Sequence, residues 1–159
     1  MSVSHSQPYV PALGFFGNLF LEHTESGSTT NAIAEVSTHT FATSYFDTTD
    51  IILIYYEVTA DTGGGGADGH LYIDGQDVGF NDNQAARIGE CRVTNSQTTA
   101  NKLNSACREL NTNMAATTDL HTAIGTHGIT GALTIALGAG KNTCTTAYWK
   151  LSIFRIKSV

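Results

Sequence analysis

The chain has 159 residues and a formal charge of −6 with its six His counted neutral, which fits a single domain and argues against a polybasic nucleic-acid binder. At 41% hydrophobic it can build a core, which excludes a disordered chain. Only 14% of residues are charged, against roughly 25% in an ordinary globular domain; 23 Thr, ten Asn and 16 Gly stand where Lys and Glu usually do.

Residues 1–13 contain no basic residue and are interrupted by Pro8 and Pro11. They read as an N-terminal arm and not as a secretory leader, which needs a basic start and an apolar run. The remainder, 14–159, reads as one β-sandwich domain. Its first strands are expected at 15–21 and 41–46. Residues 50–60, DIILIYYEVTA, carry the strongest strand pattern, with Ile52, Ile54, Tyr56 and Val58 on one face. The other face holds Ile51, Leu53 and Tyr55 before turning polar, so a central strand covered on both sides is expected. A loop at 61–69 with four consecutive glycines should form a mobile surface tip. Strand 70–74 then turns through Asp74-Gly75, a strong tight-hairpin signal, into 76–80.

A strand is expected at 86–93. At 100–114, Leu103, Ala106, Cys107, Leu110 and Met114 recur at helical spacing behind Thr98 and Thr99, which predicts one short helix. Strands at 129–137 and 147–156 follow, separated by a spacer over 138–146. In the last, Trp149, Leu151 and Ile153 alternate with Tyr148, Lys150 and Ser152. The sum is an all-β, antiparallel, jelly-roll-like sandwich. The longest apolar runs fall far short of the roughly 20 residues a membrane helix needs, so a soluble chain with no membrane partner is expected.

Charge is ordered along the chain. The first 86 residues hold eleven carboxylates and no Lys or Arg; from Arg87 onward eight basic residues face three acids. Unlike patches of this kind suit self-association, unless folding interleaves the two halves. Residues assigned to contacts are Tyr9 and Val10 in the arm and Arg87, Lys150, Arg155 and Lys157 in the basic half.

Reactive constellations are sought and set aside. The glycines at 63–66 are followed by Ala67, Asp68 and Gly69, not by the Lys and Ser/Thr of a phosphate loop. Asp61, Asp68, Asp74, Asp77 and Asp82, with Asn81 and Asn83, offer the hard oxygens calcium takes, but without its loop ladder; turn chemistry accounts for them. No HExxH or GxSxG occurs. Cys91, Cys107 and Cys144 match no zinc or redox spacing and read as buried thiols. Glu22 with Glu35 or Glu57 is a conceivable glycosidase pair. Tyr55, Tyr56, Tyr72, Tyr148 and Trp149 fit either a sugar-stacking platform or a core. No catalysis, metal or cofactor is expected.

The segments HLYIDGQDVG (70–79) and TAYWKLSIFRIKSV (146–159), together with overall pattern and composition, resemble the small sandwich modules of tailed-bacteriophage virions, the capsid decoration or cement proteins in particular. The resemblance implies a homotrimer made in the host cytoplasm and seated on the major capsid protein at the capsid surface, stabilising the shell without chemistry and without binding nucleic acid. The alternative is a fibre tip or receptor-binding module that takes a glycan. A small hydrolase built on a cross-strand acid pair ranks third.

Overall fold

The computed structural model describes residues 18–61, 65–79, 86–111 and 116–157, the side chains of 18, 86, 87, 110, 111 and 116–119 excepted. Tyr9, Val10 and the expected arm lie outside the described residues. Ten strands are found among them: β1 (Asn18–Thr29), β2 (Ala34–Phe41), β3 (Ile51–Ala60), β4 (Ala67–Ile73), β5 (Gln76–Asp77), β6 (Ala86–Asn95), β7 (Leu103–Asn111), β8 (Ala116–Ile124), β9 (Leu133–Lys141) and β10 (Ala147–Lys157). They form a six-stranded sheet, β1-β10-β3-β6-β7-β8, and a four-stranded sheet, β2-β9-β4-β5. Every pairing is antiparallel.

With the β7–β8 hairpin set aside, first pairs with last through the whole chain: β1 with β10, β2 with β9, β3 with β6, β4 with β5. That nesting is a jelly roll. The inward rows meet in a single core that includes Ile52, Ile54, Val58, Leu71, Ile73, Ile135, Leu137, Leu151 and Ile153. The hairpin turn is as expected. Ile73 pairs with Gln76, and Asp74 and Gly75 both take positive φ, 50° and 74°, the two-residue geometry whose twist matches that of the strands.

Several expectations are corrected. Residues 103–111 form β7, not a helix. Leu103, Ser105, Cys107 and Glu109 are all buried in strict alternation, and the polar members hid the two-residue period. Cys91 and Cys107 are not free thiols. They stand opposite each other on β6 and β7 and form a disulfide, while Cys144 is free and buried. The segment after Phe41 is a turn, with Ser44 at φ 63° and Tyr45 N–H donating to the Ala42 carbonyl. Gly65 and Gly66 are buried and not a surface tip; the Gly66 carbonyl accepts from the N–H groups of Asn142, Thr143 and Cys144. At Gly65 a side chain would strike the Thr143–Cys144 backbone. Finally, β9 runs on through Gly138 and Gly140, where the spacer was expected, paired with β4 on one side; Gly140 leaves room for the backbone of Ile33, which a Cβ there would strike.

Candidate functional site: the open face of the larger sheet

The acidic and histidine clusters resolve into structural roles. Asp61 accepts from the backbone of Thr145 and Thr146, and Asp68 from Asn142 Nδ2. Asp74 accepts from Thr134 N–H, with His127 Nε2 at 3.3 Å; Asp77 meets His70 Nδ1 and Gly79 N–H. These are turn and strand-end contacts, and among the described residues no group of three His, Cys, Asp or Glu is placed to hold a metal ion. Asn81, Asp82 and Asn83 lie outside them. His23 stacks on His39 at 4.2 Å along the seam between β1 and β2. Burial lowers the pKa of His39 and the nearby His23 adds to this, against the opposing pull of Glu25.

Glu22 faces Tyr45 and Arg155. Its carboxylate accepts from the Tyr45 hydroxyl and lies 2.8 Å from Arg155 Nε; the hydrogen bond, first, and burial push the Tyr45 pKa up. The Arg155 guanidinium also stands over Phe20, Tyr45 and Phe46 and 3.9 Å from the buried Asp50. Glu35 is exposed and accepts from Thr38, while Glu57 stands on the outer row of β3 beside Tyr55. The three proposed dyad members are therefore in three places.

The feature left over is the outer face of the six-stranded sheet. One row crosses all six strands in register: Leu21, Phe154, Leu53, Arg92, Ala106 and Leu120. The next, nearer the chain's first residues, runs Leu19, Ile156, Ile51. On the other side come Thr24, Ser152, Tyr55, Glu90 and Arg108, and then Ser26, Lys150, Glu57 and Ile88. The second layer covers only the inner face. Leu21 is 57% exposed, Ile88 54%, Leu120 65%, Tyr148 50% and Tyr55 42%. The expectation that β3 is covered on both sides is thus corrected: among the described residues no second layer lies over its outer row, where Ile51 and Leu53 are half-buried and Tyr55 is exposed.

Tyr55 and Ile88 form a ridge between two shallow grooves. One, of about 200 Å³, is lined by Tyr55, Ile88, Gly89, Glu90 and Arg108. The other, of about 260 Å³, includes Glu57, Lys150, Ser152 and Phe154. Phe154 packs edge-on against Tyr55 at 5.8 Å. Burial, and then Glu90 through its charge and hydrogen bond, raise the Tyr55 pKa. In the second groove the Ser152 hydroxyl is hydrogen-bonded to Thr24 Oγ1 at 3.0 Å.

Among the described contact residues, Lys150 stands on one side of β10 and Arg155 and Lys157 on the other. Lys150 is exposed on the open face. Arg155 is on the inward row, held by Glu22, and Lys157 lies 3.3 Å from Asp47. Arg87 takes the register position between Val58 and Asn111, its side chain outside the described set. Sequence reasoning overlooked Leu19, Leu21, Ile88 and Leu120. The usable signal was there in β3, whose second apolar face needs a cover. The aromatics divide: Tyr56 and Trp149 join the core, whereas Tyr55 and Tyr148 stand out from it. No protein-family model and no curated protein matches this sequence.

Proposed function

We propose that the protein is a non-enzymatic structural component of a virion surface, a capsid-decorating module that works by adhesion as a homotrimer on the major capsid protein. The observation that carries this reading is the uncovered apolar face on a jelly-roll frame. Exposed apolar side chains gathered on one sheet face mark interaction sites, and the frame is one that viral capsid and lectin domains use; that second link is one of architecture and not of chemistry. A module that binds the assembled shell and not loose subunits stabilises the shell by linkage. Immunogold electron microscopy of virus particles from the source that expresses the chain tests it. Label on the shells is the expected result, and particles that carry no label contradict it.

A second reading, a glycan-binding tip, is favoured by one observation. Tyr148 and Tyr55 project from the same face beside Glu57 and Lys150, a combination of ring and polar group that suits a sugar's apolar face and hydroxyls. Saturable signal on a glycan array, lost in Tyr148→Ala, would favour it over decoration.

A further inference from the structure

We propose that the open face of the larger sheet is where copies of this chain meet, so that its apolar corner is covered by a second copy. The inference rests on the adhesive reading of the same face and names its partner. Three observations select a copy over another occupant.

First, the corner formed by Leu19, Leu21, Leu53 and Phe154 spans three adjacent strands, β1, β10 and β3, with no charged residue in those two rows on these strands. Interface cores are depleted of charge in the same way, and apolar burial has no sign, so like covers like. Second, the charges beside it come as opposed neighbours. Glu57 stands opposite Lys150 and Glu90 opposite Arg108. A symmetry-related copy can therefore set acid against base, whereas a partner of uniform sign meets like charge at half of these positions. The described side chains of this face carry two acids and three bases, near balance on a chain of net −6; repulsion between copies is small there. Third, the face holds its own relief: Tyr55 and Ile88 line both grooves, so a convex part of one copy and a concave part for the next, as the head-to-tail contacts of a trimer require, occur on one surface.

Sedimentation equilibrium of the purified full chain from about 1 to 100 µM tests the proposal, a range that spans ordinary homo-oligomer affinities. The chain is expected to associate. Leu21→Glu, at an exposed site, is expected to weaken association at least about tenfold, the effect of setting a charge into the apolar corner, with an unchanged circular-dichroism spectrum. Ile33→Glu, an exposed apolar residue outside this face, should associate as the parent does. If Leu21→Glu fails to fold, Ile88→Glu on the same face decides in its place. A chain that stays monomeric throughout, or a folded face variant that associates like the parent, overturns the inference. The two readings fail separately: an associating chain absent from virus particles refutes shell attachment alone, and a monomeric chain found on particles refutes self-association, and the trimer with it, while shell attachment stands.

Discussion

Ala123 sits at φ 56° where β8 slips its register against β7, next to the shift between Leu103 and Ser105. The Asn104 side chain holds the bulge by accepting from the Ala123 N–H at 3.1 Å. A left-handed conformation costs an L-residue roughly 1 kcal/mol, so Ala123→Gly is expected to stabilise the protein by up to about 1 kcal/mol, read as a rise of a few degrees in the melting temperature. Arg155 makes the opposite case. It is the cation facing both Glu22 and the buried Asp50, whose side chains are 7% and 0% exposed. Arg155→Met leaves those carboxylates without it and should cost about 3 kcal/mol in urea unfolding; exposed Lys150→Ala should stay within about 0.5 kcal/mol. His39 supplies a pH dependence. Its pKa is lower folded than unfolded, by burial first and His23 second. Between the two values the unfolded chain binds more protons, so stability is complete above about pH 6.5 and falls as the pH drops toward the folded value. Melting curves between pH 7.5 and 5.5 should show that decline, with a shallower slope in His39→Gln.

Strands β3, β6 and β7 show why one element escaped the sequence pattern. Tyr56, Gly89 and Glu109 lie on one cross-strand row. The Tyr56 ring crosses Gly89, where any Cβ would collide with it, and its hydroxyl donates to the buried Glu109. Glycine in mid-strand is ordinarily a weakness; here it makes room for a cross-strand ring. Gly89→Ala should cost about 1–3 kcal/mol by overpacking, measured by thermal or urea unfolding. One row beyond, Cys91 and Cys107 join the same two strands across a separation of 16 residues. Their replacement by Ala should lose about 3 kcal/mol on the loop-closure model. Glu109 and Ser105 occupy core positions that a binary reading assigns to apolar residues, so 103–111 offered its helical spacing more clearly than its alternation. Elements with apolar inward rows, 50–60 and 147–156, were legible to within a residue or two. Polar β1 beyond residue 21 and polar β2 were not, because they form the seam where Glu25, Ser37, His23 and His39 face one another.

At the scale of the whole molecule, the jelly roll explains the ordered charge. A chain folded as a nested hairpin sets its first half beside its second: β10 lies between β1 and β3, and β9 between β2 and β4. The acidic half therefore meets the basic half inside one subunit, as in Glu22 with Arg155 and Asp47 with Lys157. What remains outward is the apolar face, legible beforehand only as the second stripe on β3, since its other members come from strands distant in sequence that only the sheet order brings together. The most direct test of that face's role is hydroxyl-radical footprinting of the purified chain at high and low concentration. The account predicts that Leu21, Tyr55 and Phe154 become protected as concentration rises while exposed Tyr45, off this face, stays equally labelled. Equal labelling of all four at both concentrations would contradict it.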